Sequence, residues 1–230
     1  TYDSTRIDAV GDFDASALGD SSVRYAFGRE LGRGGAGVVM MSWDKHLRRV
    51  VAMKHPIHGG DESASEFLDE AQTTGVLEHP NIVPVYDLGE LSTGELFYTM
   101  RYVRRHSLRE VLNSHIRGDE KIRREYTLFK LLTVLQQVCN AVHYAHAKGV
   151  LHRDLKPENI MLGEYGEVFV MDWGLALVRQ EGVFDPPRPG PAMGHETVVG
   201  TPEYMAPEQA RADYHRMWAA ADVYSLGAIL

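Results

Sequence analysis

The pattern of apolar and polar positions in the first part of the chain predicts a sheet with one helix. Strand-like segments flank a glycine-rich turn in YAFGRELGRGGAGVVMMSWD, and a third strand, RRVVAMKHP, carries Lys54. The next segment, SASEFLDEAQTTGVLEHP, has helical spacing: Phe67 and Glu70 share a face, and Ser63 with Glu66 fits a capping box. Two further strands are predicted around IVPVYDLGE and ELFYTMRYV.

Helical periodicity dominates the remainder. Helices are predicted at Ser107–His115 and Thr127–Lys148, followed by short strands, a long loop from about Leu177 to Gly200 and a final apolar segment, DVYSLGAIL. The first residues are rich in Asp, Ser, Gly and Ala, which is typical of a flexible tail. We therefore predict an α+β fold with two lobes. The predicted boundaries are 1–22 for the tail, 23–103 for the first lobe and 104–230 for the second.

Composition and charge narrow the function classes. Of 230 residues, 44% are hydrophobic, enough for a sizeable core. The formal net charge of −8, without a long Lys/Arg run, argues against a nucleic-acid or anionic-membrane partner. Cys139 is the single cysteine, which excludes an internal disulfide and favours a reducing, cytoplasmic setting. No apolar run in the sequence is long enough to span a bilayer.

The glycine-rich turn, LGRGGAGVV, is a candidate phosphate-binding loop. Without Cβ atoms at Gly32, Gly34 and Gly37, backbone N–H groups can approach a polyphosphate closely. A glycine hairpin of purely structural meaning explains the pattern equally well. A dinucleotide-binding fold is a third interpretation, but it requires a helix directly after the glycines, whereas VVMMSWD is strand-like.

Lys54 ends an apolar strand, VVAMK, and its position alone leaves its role open. A strand-terminal lysine in solvent is the simpler interpretation. A lysine that holds phosphate oxygens needs an acidic neighbour, and Glu70 lies on the apolar face of the next helix. Asp69 points off that face and Glu66 is assigned to the helix cap, so a pair between Lys54 and Glu70 is predicted.

The segment VLHRDLKPENIML concentrates charge that a simple turn does not need. Phosphoryl transfer requires a carboxylate that orients a hydroxyl, a positive charge near the phosphoryl oxygens and oxygen ligands for a divalent cation. Asp154, Lys156 and Asn159 could supply these groups. A further oxygen ligand follows the apolar strand EVFVM as Asp172 in DWG, although an ordinary Asp-x-Gly turn would also place an aspartate there.

Together these motifs resemble the eukaryotic-like (Hanks-type) protein kinases, particularly the bacterial serine/threonine kinases. The resemblance covers about Tyr25 to Leu230, with the glycine loop, VAMK, EAQTTGVLEHPNIV, HRDLKPEN, DWG, GTPEYMAPE and ADVYSLGAIL in family order. It implies a small antiparallel β lobe with one helix and a mainly helical second lobe. The family continues with several helices beyond the last motif, so the second lobe is expected to be incomplete at its C-terminal end.

The resemblance also implies a reaction, in which the γ-phosphoryl group of ATP is transferred, with Mg²⁺, to a serine or threonine hydroxyl of a protein substrate. Lys54, held by Glu70, would contact the α- and β-phosphates. Asp154 would accept or orient the hydroxyl proton, and Lys156 would neutralise the γ-phosphate. The implied magnesium ligands are Asn159 and Asp172.

An adenine pocket is implied in the same way. Apolar side chains would sandwich the ring, and backbone groups after a gatekeeper residue would hydrogen-bond its edge. The implied residues are Leu31, Val39, Ala52 and Met161 for the ring, Met100 for the gatekeeper, and Arg101 to Val103 for the hinge. Simple core packing also explains these apolar residues. Lys156 together with Thr201 in GTPEY indicates Ser/Thr rather than Tyr specificity.

Regulation is implied by Arg153, because in similar kinases the arginine before the catalytic aspartate pairs with a phosphorylated residue of the activation segment, which here spans Asp172 to Glu208. We hypothesise autophosphorylation at Thr197, where a phosphate could form charge-assisted hydrogen bonds with Arg153. Thr201 is expected to have a structural role towards Asp154.

Several features depart from the family pattern. Trp173 replaces a phenylalanine in DWG, and Arg101 stands where relatives often have Glu, with little expected effect because the hinge acts through its backbone. Glu208 is expected to lack its arginine partner, and the apolar flank of the final helix favours a homodimer. The incomplete lobe leaves a second hypothesis, a pseudokinase-like nucleotide-binding or scaffold module. A small-molecule kinase is disfavoured by GTPEYMAPE.

Overall fold

The computed structural model describes residues 24–34, 37–57, 61–178, 198–213 and 217–230, without the side chains of 61–63. A five-stranded antiparallel sheet forms the first part of the molecule, in the order β1-β2-β3-β5-β4. Its strands are β1 (Tyr25–Gly34), β2 (Gly37–Asp44), β3 (Arg49–His55), β4 (Val85–Glu90) and β5 (Leu96–Arg101). The predicted strands are confirmed.

The register of this sheet gathers predicted site residues on one face. Val39 lies opposite Lys54 in the β2–β3 pair, and Ala52 lies opposite Met100 in the β3–β5 pair. Directly opposite residues share a face, and so do residues two apart on one strand, such as Ala52 and Lys54. All four side chains therefore belong to the same side of the sheet.

Helix α1 (Asp61–Val76) packs on the sheet through Phe67 and Ala71, which lie in one buried cluster with residues of β3 and β5. The helix begins at Asp61, so Ser63 lies inside it and the predicted capping box at Ser63 is wrong. Acidic residues are favourable near the positive end of a helix, and two of them open this one. This explains why the helix extends beyond the expected cap.

The remainder of the described chain is mainly helical. Its helices are α2 (Leu108–Ile116), α3 (Glu120–Glu125), α4 (Leu128–Ala147), α5 (Pro207–Ala210) and α6 (Ala219–Ile229). Short strands accompany them: β6 (His106–Ser107), β7 (Val150–Leu151), β8 (Ile160–Leu162), β9 (Val168–Val170) and β10 (Leu177–Val178). The helices predicted from Ser107 and Thr127 are confirmed, with both residues as N-caps.

A second, larger core surrounds α4. This helix buries Val134, Val138 and Ala141, whose spacing places them on one helical face. They pack in a cluster with Leu155, which lies inside the HRDLKPEN motif, and with Ile160, which directly follows it. Two buried apolar residues thus anchor the charged motif in the core.

Strand β9 connects the two parts of the molecule. The backbone N–H of Val83, which follows α1 in the chain, donates to the carbonyl of Val170 at 3.2 Å, and the N–H of Val170 donates to that of Asn81 at 2.8 Å. Phe169 of β9 is buried in the same cluster as the sheet residues. The α+β, two-lobed architecture predicted from the sequence is confirmed, and a cleft lies between the sheet and the β8–β9 hairpin.

Two features of the second part were not predicted. Helix α3 has six residues, too few to show an apolar period, and its start is fixed by Asp119, whose carboxylate accepts from the N–H groups of Lys121 and Ile122. The β7–β10 pair has two residues in each strand and joins distant segments. Residues 1–22 and Thr197 lie outside the described residues. Within the described ranges, no helix combines the length and apolar character needed to cross a membrane.

Candidate active site

The cleft has a volume of about 630 Å³, within the range of roughly 300–1,000 Å³ for small-molecule sites. Its walls contain every residue predicted for the glycine loop, the adenine pocket and the contact with the α- and β-phosphates. They are Leu31, Gly32, Gly34, Gly37, Val39, Ala52, Lys54, Met100, Arg101, Val103 and Met161. Of the predicted catalytic residues that the structure describes, Asp154 and Lys156 are not among those that line the cleft. The acidic residues Glu70 and Asp172 and the amide of Asn159 line the same cleft. Folding therefore brings together residues predicted from five separate motifs.

The glycine loop has one structural glycine and two that packing does not explain. A Cβ at Gly37 would lie 2.6 Å from the carbonyl oxygen of His55, so no side chain fits there. At Gly32 and Gly34, by contrast, a Cβ would meet no described atom within 4 Å, and neither glycine has a positive φ. These two leave open space beside the cleft, which favours the phosphate-loop interpretation over a purely structural hairpin.

Lys54 is buried and pairs with its predicted partner, Glu70. Its Nζ lies 2.5 Å from Oε1 of Glu70, and the hydroxyl of Tyr98 donates to the same oxygen at 2.7 Å. Burial opposes the charge on Lys54, but the carboxylates of Glu70 and Asp172 outweigh it and raise the pKa of the ammonium group. The lysine is therefore a fixed positive charge inside the cleft, which excludes the solvent-exposed interpretation.

Asp172 reaches the same lysine from the opposite side of the cleft. Its Oδ1 lies 3.4 Å from Lys54 Nζ, while 46% of its side chain stays accessible from the cleft. The enclosing protein opposes ionisation of Asp172, but the positive charge of Lys54 outweighs this and lowers its pKa below the ordinary 3.8. Its φ of 60° is in the left-handed region, a strained conformation for an aspartate. A tight turn therefore aims an ionised carboxylate at the cleft.

Asp154 is the centre of the second ionic cluster. Oδ2 of its carboxylate accepts from Lys156 Nζ at 2.6 Å, and Oδ1 accepts from the hydroxyl of Thr201 at 2.7 Å. Lys156 also donates to Thr201 Oγ1 at 2.8 Å, which closes a three-membered ring of contacts. The carboxylate is thus oriented from both sides, and the expected structural role of Thr201 towards Asp154 is observed.

Asn159 connects the two clusters. Its side-chain amide nitrogen donates to the backbone carbonyl of Asp154 at 2.9 Å. The backbone carbonyl of Asn159 accepts from the N–H of Met171 at 2.8 Å. Because the amide nitrogen is engaged, the orientation of the side chain is fixed and its oxygen is left to bind a cation. An amide oxygen from Asn159 and a carboxylate from Asp172 are ligands that Mg²⁺ accepts.

His152 and Asp222 fix the backbone of the catalytic segment, residues 152–159, through hydrogen bonds. The backbone N–H of Asp154 donates to His152 Nδ1 at 3.2 Å, so the other ring nitrogen carries the proton and donates to the carbonyl of Met171 at 3.0 Å. The buried carboxylate of Asp222, on α6, accepts from the backbone N–H groups of His152 and Arg153, both at 2.9 Å. His146 is bonded to Asp222 as well, at 2.7 Å.

Arg153 also has a defined place. Its backbone has a left-handed φ of 67°, and its Nε donates to the carbonyl of Leu175 at 2.5 Å, in the segment that follows DWG. Its own carbonyl accepts from the amide of Gln209 on α5, which also donates to Val199 at 2.7 Å. The arginine is therefore tied to both ends of the activation segment, while its predicted partner Thr197 is not among the described residues.

Arg101 is more than a backbone element of the hinge. Its Nη2 donates to Oε1 of Glu167 at 2.7 Å, and its guanidinium lies 4.9 Å from the ring centroid of Phe169. Both partners belong to the β8–β9 hairpin and the turn within it, whereas Arg101 ends β5. The side chain thus links the sheet to the second part of the molecule, a role that sequence reasoning missed.

Trp173 of the DWG motif is fully buried, at 1% exposure, and packs 4.6 Å from the ring of His152. The indole therefore fills the core beneath the catalytic segment while Asp172, the preceding residue, faces the cleft.

Sequence reasoning named Asp222, Gln209 and Arg109 in no role, although all three contact the site. Asp222 lies in the quoted motif ADVYSLGAIL, and Gln209 directly follows GTPEYMAPE; both are polar positions in apolar or helical surroundings. That contrast was the available signal. Arg109 carried no such signal, because a helix surface accepts an arginine anywhere.

Comparison with known proteins agrees with this geometry. The protein kinase domain model matches residues 25–230. The serine/threonine-protein kinase PknD of Chlamydia felis is 35% identical over 222 residues, and that of Chlamydia muridarum is 37% identical over 231. Each match covers 90% of this chain and 24% of the relative. The chain thus spans about a quarter of the length of these relatives.

These matches define the class. The chain belongs to the protein kinase domain family. Within it, the chain is similar to bacterial proteins named as serine/threonine-protein kinases, which confirms the family that the motifs indicated.

Proposed function

We propose that this chain catalyses the ATP- and Mg²⁺-dependent transfer of the γ-phosphoryl group to serine or threonine hydroxyls of proteins. The observation that carries the proposal is that two ionic clusters lie close together: the first lines the cleft, and the second is hydrogen-bonded to Asn159, which lines the same cleft. The first joins Lys54, Glu70 and Asp172, and the second joins Asp154, Lys156 and Thr201. A purely structural role for both clusters would not explain why the carboxylate of Asp172 is half exposed, or why Gly32 and Gly34 leave free space beside the cleft.

In the proposed step, the acceptor oxygen forms a bond to the γ-phosphorus, and the bond between that phosphorus and the oxygen of the leaving ADP breaks. Asp154 takes the proton of the hydroxyl, and its fixed orientation holds the acceptor in line. Lys156 compensates charge on the transferred group, and Lys54 does so on the α- and β-phosphates. Fixed charges of this kind need little rearrangement as the reaction proceeds.

The residues present fit a magnesium–nucleotide ligand. Asn159 and Asp172 would hold the cation through one amide oxygen and one ionised carboxylate, and the glycine loop leaves room for phosphates. Bound magnesium would neutralise negative charge on the phosphate oxygens. The apolar walls at Val39, Ala52 and Met161 suit an adenine ring.

Serine and threonine are the proposed acceptors because both carboxylate oxygens of Asp154 are closely flanked, by Lys156 and by Thr201. A short side chain can bring its hydroxyl to this carboxylate. The relatives' names, serine/threonine-protein kinase, support the same choice.

The competing proposal is a pseudokinase-like module that binds nucleotide without turnover. Radiolabelled phosphate transfer from Mg-ATP to a generic basic protein separates the two proposals. We expect transfer by the wild-type protein and a loss of about 10²–10⁴-fold in the Asp154→Asn variant, which removes the proton acceptor at constant shape. Nucleotide binding without transfer by the wild-type protein would favour the module instead.

Autophosphorylation at Thr197 belongs to the same proposal. A phosphate there would carry up to two negative charges and could pair with Arg153, which already contacts the activation segment. Site mapping by mass spectrometry after incubation with Mg-ATP tests this. An unmodified Thr197 beside other filled sites would remove it from the proposal.

We also propose a setting for the protein. Its single cysteine favours a reducing, cytoplasmic location. Self-association as a homodimer stays a prediction, to be checked by light scattering; Val223 and Tyr224 of α6 are half exposed.

A further inference from the structure

Arg109 links three elements at the mouth of the cleft. It lies in the first turn of α2, its Nε donates to Glu158 Oε1 at 2.6 Å, and its Nη2 donates to the hydroxyl of Tyr204 at 2.5 Å. Glu158 belongs to the catalytic segment, and Tyr204 follows Thr201 by three residues. One guanidinium group therefore ties α2 to the acceptor side of the site.

Glu158 is the second carboxylate of the catalytic segment, and the chemistry described above does not use it. It lines the cleft four residues after Asp154, and 44% of its side chain is accessible. Its Oε1 accepts from Arg109 Nε at 2.6 Å, so the carboxylate is paired with a guanidinium group of the same chain. A carboxylate beside an acceptor site is a natural partner for a basic side chain of a bound peptide.

In this protein that position is already taken. We propose that Arg109 is a specificity-determining residue, which occupies Glu158 in place of a substrate arginine and so removes any preference for basic peptides. The inference rests on the proposed function, because it assigns a selectivity to the same acceptor site.

The physical argument is one of competition within the chain. A substrate arginine would have to displace Arg109 from Glu158, and the displaced group would leave Tyr204 with a broken hydrogen bond. Because Arg109 is covalently part of the fold, its local concentration at Glu158 exceeds that of any peptide. Specificity is a difference of affinities, and filling the acidic position cancels the advantage of a basic peptide.

The test compares two peptides that share a serine acceptor and differ only by Arg or Gln at one flanking position, scanned from three residues before to three after the serine. For the wild-type protein we expect kcat/KM ratios near one at every position. In the Arg109→Gln variant, the ratio should rise about fivefold in favour of Arg at one position, the gain expected from one partly exposed ion pair.

Three further variants make the result specific. Arg109→Gln combined with Glu158→Gln should return the ratio to near one, because the exposed carboxylate is gone. Arg124→Gln is the matched control, because it removes an equal charge from the Arg124–Glu120 pair on α3, where the arginine is 83% exposed. It should leave the Arg/Gln ratio of kcat/KM unchanged. Tyr204→Phe removes the second anchor of Arg109 but leaves the Glu158 pair in place, so its ratio should stay within twofold of wild type.

A binding measurement separates this inference from the proposed function. Fluorescence anisotropy with labelled peptides, in which alanine replaces serine, reports the Arg/Gln preference without phosphate transfer. Tighter binding of the Arg peptide by Arg109→Gln supports the inference even if the wild-type protein transfers no phosphate. Equal binding by both proteins, or a fall in kcat for both peptides at an unchanged ratio, overturns it and makes Arg109 a structural brace.

Discussion

The two lysines of the site are held in opposite ways. Lys54 is 8% exposed and bonded to Glu70, 16 positions along the chain, and to Asp172, 118 positions along. Lys156 is 22% exposed and bonded to Asp154, two positions away, and to Thr201. The first lysine is placed by tertiary structure, and the second largely by its own loop.

This difference determines which structural changes disturb the ion pairs of each lysine. Lys54 meets both carboxylates only when α1, the sheet and the DWG turn are all in place, so its ion pairs measure the arrangement of the lobes. Lys156 keeps Asp154 within reach in any conformation that preserves the catalytic segment. A change that moves α1 or Asp172 should therefore disturb Lys54 first.

The largest expected effect tests this contrast directly. Lys54→Met leaves Glu70 and Tyr98 buried without the cation, so we expect a loss of about 3 kcal/mol in the free energy of unfolding. Lys156→Met should cost less, about 1–2 kcal/mol, because the ammonium group is more exposed and Asp154 keeps the hydrogen bond from Thr201. Urea denaturation followed by circular dichroism measures both. Equal losses for the two variants would show that the contrast in burial has no energetic consequence.

A second prediction concerns how far the catalytic segment depends on a distant residue, Asp222 of α6. Asp222 accepts two backbone N–H groups of this segment, and in Asp222→Asn an amide NH₂ replaces one acceptor, so we expect a loss of about 2 kcal/mol at neutral pH. Burial opposes ionisation of Asp222, but the hydrogen bond with His146 and the backbone N–H groups of His152 and Arg153 lower its pKa.

The lowered pKa of Asp222 determines how the free energy of unfolding depends on pH. A depressed pKa gives stability that is present above the ordinary value of 3.8 and is lost as the pH falls below it towards the folded-state value. The stabilities of wild type and Asp222→Asn should therefore converge as the pH falls below 3.8 and passes through the lowered pKa of Asp222. Parallel curves throughout would exclude Asp222 as the source of the acid sensitivity.

The same contrast explains what the sequence could predict. The pair between Lys54 and Glu70 was predicted partly for a wrong reason, because Glu66 was assigned to a capping box that does not form; in the structure Glu66 is exposed and Glu70 is buried. The contact between Asp154 and Lys156 was predictable because both lie in one short motif, whereas Thr201 was expected there only from the resemblance to the kinase family. Asp222, Arg109 and the Glu167 partner of Arg101 were not, because each contact joins elements whose relative position only tertiary packing sets. Helix α3 was missed because its start depends on one capping carboxylate, that of Asp119.

A smaller effect is expected at Thr201. Thr201→Val removes the hydroxyl that donates to Asp154 and accepts from Lys156. Loss of this hydrogen bond should lower kcat about tenfold, equivalent to about 1.4 kcal/mol, with little change in KM for ATP. Thr201→Ser keeps the hydroxyl and should retain most of the activity. Steady-state kinetics of the two variants would count against an orienting role if Ser and Val behaved alike.

The smallest effect concerns the distance between the lobes. Arg101 and Glu167 are partly exposed, so their pair should contribute only about 0.5 kcal/mol in a double-mutant cycle of Arg101→Met and Glu167→Gln. Breaking it frees the sheet from the β8–β9 hairpin, and the 3.4 Å contact between Lys54 and Asp172 should loosen with it. We therefore expect fluorescent ADP to dissociate about twofold faster from either single variant and no faster still from the double one. Additive rates would mean that Arg101 acts through Phe169 alone, because that stacking contact does not depend on Glu167.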